Sequence, residues 1–296
     1  MKKATRNILI ISACFMGAGI PAAAAGVAAG GWFGIQITRD GIRSSSSGSE
    51  PYRLEKTRLD DFSGIKIDIG SEADIEFVPS DDEYCYLEYT LKGNGAGPEW
   101  NITDNTFTLT QNGVIATGFF LTGSDLSWSS GPVIRLYIPK DTAFSDVDIY
   151  NDYGNISMGS ISSDTLTLNL ESGDLDMENI SAGAADIYLD YGNLAMRACR
   201  FTEAKIETDS GNIEAEDTVT DTLLLTNNYG DSTLENTTVR SADLTVESGG
   251  LYLEASGLET ITGVNEYGDT TFVFGDDIES YSFDLLTEYG EISFSG

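Results

Sequence analysis

Acidic side chains recur at a fixed interval through the second half of the chain. They occupy two columns that flank a repeated glycine, one column two positions before it and one directly after it. In stacked repeats, like charges about 4.8 Å apart repel by roughly 0.9 kcal/mol per pair even in water, so a bound cation would relieve them. Oxygen-rich clusters suit Ca²⁺. The acids concerned are Asp152, Glu171, Asp174, Asp190, Asp209, Asp231, Glu247, Glu266 and Asp269.

A solvated acidic ridge is the alternative interpretation of the same columns. Such a ridge keeps an extended protein soluble and discourages side-by-side association. The calcium-solenoid pattern Gly-Gly-x-Gly-x-Asp is absent from the sequence, which favours the solvated ridge. We therefore predict no cofactor, with Ca²⁺ as the one ion that the columns suit.

The composition argues against most other chemistry. The chain has 296 residues, with 16 Lys and Arg, 48 Asp and Glu, no His and a net charge of −32. That charge repels phosphates, so we expect no nucleic-acid partner. The lack of His removes the usual general base and the commonest metal ligand. We predict that the protein is not an enzyme. A carbohydrate-active enzyme, which would use paired carboxylates, is the weaker alternative.

The three cysteines, Cys14, Cys85 and Cys199, are too few for a zinc cage. Cys199 shares a repeat column with Ile161 and Ile180, which is typical of a buried small hydrophobic residue. Oxidation of Cys85 and Cys199 as a pair outside the cell is the alternative.

Aromatic residues are concentrated in one loop between two glycines of the first half. The loop runs from 118 to 131 and contains Phe119, Phe120 and Trp128. Exposed aromatic side chains are frequent anchors of protein contacts, so these three are candidates for partner contact. The alternative is that they fold over one end of the domain.

A short sequence repeat determines which elements carry the acidic columns. Its glycines stand at 154, 173, 192, 211, 230, 249, 268 and 290, an interval of 19 six times and then 22. Aliphatic residues two and four positions after each glycine alternate with polar ones, and a second alternating segment lies about fourteen positions after it. Both segments are typical of strands with one buried face.

Two strands and two turns in each repeat predict one coil of an all-β, single-stranded parallel β-helix, a β-solenoid. Such coils bury their apolar faces by stacking, and parallel crossovers favour a right-handed coil. Tyr and Ser alternate in the position before the glycine. A 19-residue coil, which we expect, stacks Tyr on Ser, whereas the alternative 38-residue coil stacks Tyr on Tyr.

The first half of the chain begins with an apolar segment. Lys2, Lys3 and Arg6 precede a stretch without charge from Asn7 to Thr38, which is long enough to span a bilayer. Residues 1–43 are therefore predicted to be a signal anchor or a cleaved signal peptide, and residues 44–50 a flexible linker. A third interpretation makes Cys14 a lipid attachment point. Residues 51–143 are predicted to form an irregular β cap with the first coils, and residues 144–296 the regular solenoid repeats.

Several of these features occur together in a known family. They are the basic and apolar N-terminus, the strand pair Phe62–Ile69 and Ala73–Pro79, the step Leu136–Asp141, and the alternating Tyr-Gly and Ser-Gly turns. In them the chain resembles the bacterial putative-adhesin β-strand-repeat domain, an envelope-associated domain of unknown function, over roughly residues 54–296. The resemblance implies a β-helix displayed on the envelope and linked to adhesion or envelope stress. It transfers no catalytic residue.

We therefore expect a non-enzymatic extracytoplasmic surface scaffold or adhesin-like binding module of the bacterial envelope. An envelope-stress regulatory component that binds a membrane protein is the alternative. The expected location is the cell membrane, with a single pass and an extracellular C-terminal domain, or the outside of the cell if the N-terminal segment is cleaved. The expected partner is an envelope protein or a surface glycan.

Overall fold

The computed structural model of the protein describes residues 35–38, 41–44, 50–93, 97–112, 114–118, 131–275 and 282–295. In these ranges the regular elements are all strands. They are β1 Ile35–Thr38, β2 Gly41–Ser44, β3 Tyr52–Arg58, β4 Gly64–Glu72, β5 Asp74–Pro79, β6 Tyr86–Leu91, β7 Glu99–Thr103, β8 Thr106–Gln111, β9 Val114–Gly118, β10 Val133–Ile138, β11 Ala143–Tyr153, β12 Ile156–Gly159, β13 Ser162–Ser172, β14 Leu175–Glu178, β15 Ser181–Tyr191, β16 Leu194–Arg197, β17 Arg200–Ser210, β18 Ile213–Glu216, β19 Val219–Tyr229, β20 Ser232–Ser248, β21 Leu251–Ser256, β22 Thr260–Tyr267, β23 Thr270–Phe274, β24 Ser282–Tyr289 and β25 Ile292–Ser295.

The chain divides into two units. The smaller one contains an antiparallel sheet in the order β2-β1-β9. The larger one contains the remaining strands, β3–β8 and β10–β25, and all of the repeat.

Each regular coil of the larger unit consists of one long and one short strand. The long strand has 11 residues, as in β13 and β15, and the short strand has 4, as in β14 and β16. Equivalent strands of successive coils pair in parallel, with Leu168 opposite Ile187 and Leu175 opposite Leu194. Paired positions are one sequence repeat apart, which confirms the predicted parallel β-solenoid and decides against a 38-residue coil.

The aliphatic columns of the repeat form the core of the solenoid. Ile187, Ile206 and Leu225 are buried on the long strands, and Met177 and Leu194 are buried on the short ones. Each such side chain contributes about 1.5–3 kcal/mol when it is removed from water. A single coil would leave this surface half covered, so the stacked neighbours are required for stability.

The first regular coil, formed by β11 and β12, stacks on a coil from the N-terminal part of the larger unit. β11 pairs in parallel with β4, and β12 with β5. On their other side, β4 pairs with β8 and β5 with β10, again in parallel. The coil of β4 and β5 therefore lies between segments that follow it in the chain, so spatial order and chain order differ here.

Antiparallel strands cover the far edge of these first coils. β7 pairs with β8, β6 pairs with β10, and β3 pairs with β6. Antiparallel addition interrupts the parallel ladder and occupies edge hydrogen-bonding groups that would otherwise recruit another chain.

The repeated glycine forms the first corner of each coil. Gly173, Gly192 and Gly211 have φ angles of +146°, +146° and +151°, a region that L side chains rarely adopt. The corners are also closely stacked, since a Cβ added to Gly211 would lie 1.8 Å from the carbonyl oxygen of Gly192. Both backbone conformation and coil-to-coil contact therefore require glycine.

A left-handed residue forms the second corner of each coil, after the short strand. The φ angles lie between +49° and +56° at successive positions one repeat apart, Ser160, Asn179, Ala198, Asp217 and Asn236. Asn and Asp tolerate this conformation better than other non-glycine residues, which accounts for three of the five.

We predict that Gly211→Ala lowers the free energy of unfolding by about 2–4 kcal/mol, because the new methyl group meets a backbone carbonyl and the φ angle is unfavourable. Urea denaturation of the full-length chain measures the change.

Gly159→Ala is the matched control within the same repeat. A Cβ at Gly159 lies 4.0 Å from its nearest neighbour, the carbonyl oxygen of Glu178. We expect a change within about 1 kcal/mol. Equal losses for the two variants would contradict the role given to the glycine corner.

Candidate functional site

A row of exposed tyrosines follows the glycine corner along the solenoid. We name Tyr153, Tyr191, Tyr229, Tyr267 and Tyr289 the tyrosine stripe. Each ends a long strand directly before the corner glycine, where the chain turns away from the core. Their exposure of 53–65% is high for aromatic residues, and most other described aromatic side chains are half-buried or buried.

The strand register determines the spacing of the stripe. Tyr153 pairs with Ser172, Ser172 with Tyr191, and Tyr191 with Ser210. Rings therefore recur every second coil, at about 9.6 Å, with a serine between them. At the last coil Tyr267 and Tyr289 are direct neighbours and stack, with ring centroids 5.1 Å apart and planes 3° apart.

Buried asparagines support the corner from inside. Asn227 Nδ2 donates to the carbonyl oxygens of Gly211 and Gly230, each at 3.2 Å, and to Ser232 Oγ at 3.1 Å. Asn265 Nδ2 donates in the same way to Gly249 O at 3.2 Å and to Thr270 Oγ1 at 3.0 Å. A buried amide with these partners holds the corner carbonyls in place.

These asparagines explain two departures from the aliphatic pattern. Ser232 and Thr270 stand where other coils have Leu or Ile, and each occurs in a coil whose buried asparagine bonds to it. The coils around Gly173 and Gly192 have leucine at both places. In both coils an asparagine three positions before the glycine occurs together with a hydroxyl residue two positions after it. This pairing was a signal in the sequence, and it is missed when each column is considered separately.

The column directly after the glycine forms a ladder of side-chain to backbone hydrogen bonds. The backbone N–H of each residue donates to the Oδ1 of the residue one coil earlier, at 2.8–3.0 Å. The acceptors in this ladder are Asn155, Asp174, Asn193, Asn212 and Asp231. Asp269 accepts likewise from the N–H of Glu291 at 3.0 Å. Asp174, Asp231 and Asp269 therefore have a structural role at the corner.

The column two before the glycine lies beside the tyrosine stripe. Asp209 accepts hydrogen bonds from Tyr188 Oη at 3.2 Å and Asn228 Nδ2 at 2.8 Å, and Glu171 accepts one from Tyr150 Oη. Burial, together with the bond to Glu171, raises the pKa of Tyr150 well above its ordinary value. Along the same column, Asp152 and Asp190 are half-buried, and Glu247 and Glu266 are exposed.

The calcium interpretation gains no geometric support. Among the described residues, no group of three or more His, Cys, Asp or Glu side chains is arranged to hold a metal ion. Calcium binding by the acidic columns stays a prediction. The other predicted contact residues, Phe119, Phe120 and Trp128, lie outside the described residues.

Three of the four cations of the repeat region pair with acids on the long and short strands. Arg197 lies 3.2 Å from Asp176, Lys205 3.5 Å from Asp186, and Arg240 3.5 Å from Asp221. In the part of the chain that the structure describes, no ion pair involves the acids that flank the stripe, Glu171, Asp174, Asp190, Asp209, Asp231, Glu247 and Glu266. The stripe is therefore bordered by negative charge that no lysine or arginine of the described residues neutralises through an ion pair.

Comparison with known proteins assigns the fold to a family. Residues 62–296, most of the chain and all of the repeat, match the Toastrack family, DUF4097. The chain is a member of the Toastrack family. This confirms the resemblance drawn from the turns and the opening strands. Among curated proteins, none matches the chain.

Several solved structures are similar in fold to this Toastrack chain. A "putative adhesin" of Bacteroides fragilis is 15% identical, with 84% of this chain and 98% of that one covered and a TM-score of 0.45. A "putative adhesin" of Parabacteroides distasonis is 13% identical over 82% and 98%, at 0.47. A "putative lipid binding protein" of the same species is 12% identical over 84% and 98%, at 0.49.

Both described cysteines of this Toastrack chain are free thiols, so the oxidised pair considered from the sequence is not formed. Cys199 is fully buried, which confirms its core role, and burial raises the pKa of its thiol. Cys85 is half-buried, and burial, with a smaller effect of Asp61, raises the pKa of its thiol to about 11.

We predict that Cys85 resists alkylation at pH 8. Its raised pKa leaves the thiol protonated there, and the thiolate is the reactive form. Iodoacetamide labelling, followed by peptide mapping, should be about 100-fold slower in the native protein than in urea, and should rise about tenfold per pH unit below the pKa. Equal rates in the two conditions would contradict the burial of this thiol.

We also predict that Asn227 and Ser232 are energetically coupled. Asn227→Leu or Ser232→Leu alone should cost about 2 kcal/mol, since each removes one partner from a buried hydrogen bond. The double variant reproduces the leucine pair of other coils, so it should cost about 1–2 kcal/mol less than the sum.

Urea denaturation of the four proteins measures this coupling. Asn227→Leu combined with Ser181→Ala, an exposed serine of another coil, is the control and should be additive. Additivity of Asn227→Leu with Ser232→Leu would show that the bond between the two side chains does not stabilise the corner.

Proposed function

We propose that this Toastrack protein is a non-enzymatic surface scaffold, an adhesin-like binding module on the outer side of the bacterial envelope. The uncharged stretch from Asn7 to Thr38, preceded by basic residues, supports anchoring or secretion through the N-terminus. Within the residues that the structure describes, no helix has the length and apolarity needed to cross a membrane.

The tyrosine stripe is the observation that carries the proposal. Ser172, Ser210 and Ser248 occupy the same corner position in alternate coils, so the fold itself does not need an aromatic ring there. Exposing large rings to water is unfavourable, whereas aromatic residues are enriched in binding surfaces. A row of tyrosines kept on a stacked β framework is therefore explained by contact with a partner.

A binding role also agrees with the hydrogen bonds that the carboxylates at the corner accept. Asp174 and Asp231 accept backbone N–H groups, and Asp209 accepts two side-chain hydrogen bonds. A glycoside hydrolase needs two carboxylates with distinct roles, a proton donor and a nucleophile or base. Here the same acid environment recurs from coil to coil, which favours a repetitive contact surface over one reaction centre.

Crosslinking on intact cells of the native host tests the proposal. A membrane-impermeant crosslinker should capture the full-length protein together with an envelope or surface molecule. The yield should fall at least about fivefold in the Tyr191→Ser/Tyr229→Ser variant and stay unchanged in Leu224→Ser, a variant at an exposed residue of a flat face.

Two results would contradict the proposal. One is a protein that the impermeant reagent cannot reach on intact cells. The other is capture of a membrane protein of the same cell alone, with no dependence on the tyrosines, which would favour the envelope-stress regulatory role.

A further inference from the structure

The negative charge around the tyrosine stripe favours a positively charged partner. Every stripe tyrosine has an acid in at least one of the two columns beside it. In the described ranges, the seven acids named above form no ion pair. The whole chain carries a net charge of −32. Potentials of this sign concentrate cations at the surface and repel anionic polymers.

The cap of the same molecule shows how its tyrosines bind cations. The Lys56 ammonium lies 4.0 Å from the ring centroid of Tyr137 and 4.7 Å from that of Tyr86. Carboxylates complete the arrangement, because Tyr137 Oη donates to Glu88 and Tyr86 Oη donates to Asp82, each at 2.6 Å. Each of these rings has a cation over its face and a carboxylate at its hydroxyl.

The tyrosine stripe has the aromatic rings of this arrangement, with acids in the sequence columns on either side of it. Its rings are exposed and its carboxylates lie alongside, but none of the described lysines and arginines lies over a stripe ring. A Lys or Arg side chain is attracted to the face of a Tyr ring when the charge lies within about 6 Å of the ring centroid. The missing part is therefore a basic side chain from another molecule.

The spacing of the rings limits the conformation of that molecule. From Tyr153 to Tyr267 the rings recur at about 9.6 Å, two coil spacings. A polyproline II helix has three residues per turn, so every third side chain faces the same way after about 9.3 Å. A β-strand presents same-side residues at about 6.6 Å or 13 Å, and neither value fits.

We infer that the tyrosine stripe binds an extended basic peptide segment in polyproline II conformation, with Lys or Arg at every third residue. Each basic side chain lies over one ring and pairs with the neighbouring carboxylates, and the serine coils give room for the residues between. This inference rests on the proposed binding role and names the partner class for the same surface.

Two synthetic peptides of equal composition test the inference against the full-length protein. The matched peptide is five repeats of Lys-Pro-Pro. The mismatched peptide has the same five lysines and ten prolines, with lysines at alternating intervals of two and four residues. Kd values from fluorescence anisotropy should be about tenfold lower for the matched peptide at physiological salt.

The tyrosines should account for that preference. In the Tyr191→Ser/Tyr229→Ser variant, Kd for the matched peptide should rise about tenfold and the difference between the peptides should vanish. The variant keeps every charge and introduces serine, the residue that alternate coils have at this position. Urea denaturation curves of the variant and the unchanged protein should match, which checks that the variant folds. Leu224→Ser should bind both peptides as the unchanged protein does.

Equal affinity for the two peptides, or a preference that survives the tyrosine substitutions, would overturn the inference. So would tyrosine-dependent binding of an uncharged oligosaccharide together with indifference to lysine spacing, which would leave the proposed binding role intact. Tyrosine-dependent peptide binding by a protein that is not reachable on intact cells would refute the surface role alone.

Discussion

In-register stacking of successive coils is the constraint on which the rest of the structure depends. Parallel pairing at an offset of one repeat places every side chain above its counterpart one coil earlier. The corner glycine makes this possible, since even a methyl group at Gly192 would lie 1.9 Å from the carbonyl oxygen of Gly173. Apolar columns then become a continuous core, and polar columns become continuous surface ladders.

Stacking also makes the residue that is favourable at one position depend on the residue that it contacts in the stack. In the column after the glycine, amides are interspersed with acids, and each side-chain oxygen accepts a backbone N–H from the coil above. An amide between two carboxylates avoids placing like charges about 4.8 Å apart. Inside the corner, Asn227 and Ser232 form a hydrogen-bonded pair where other coils bury two leucines. Removing one member of a hydrogen-bonded pair leaves the other buried without its partner, which costs free energy.

The position directly before the corner glycine contributes to the fold through its backbone and not through its side chain. The position before the glycine contributes a backbone carbonyl to the corner one coil earlier, as when Gly173 N–H donates to Tyr191 O at 2.9 Å, and any side chain allows this bond. Tyrosine and serine therefore fill the position equally well as structural elements. Their alternation sets the ring spacing at two coils, and the partner preference that we propose depends on this spacing as well as on the acidity.

The solenoid is predictable from the residue pattern, because evenly spaced glycines with alternating aliphatic positions between them leave few ways to bury the apolar faces. The sequence also placed Cys199 in the core and identified the acidic columns. It could not decide between a 19- and a 38-residue coil, since that choice depends on which strands pair, and tertiary structure alone showed Tyr153 opposite Ser172. Nor could it foresee that β4 and β5 lie between later segments, because the partners of β8 and β10 are distant in the chain. The roles of Asp174 and Asn227 likewise became visible only in three dimensions, because a carboxylate or amide reveals its role only through the group that it contacts.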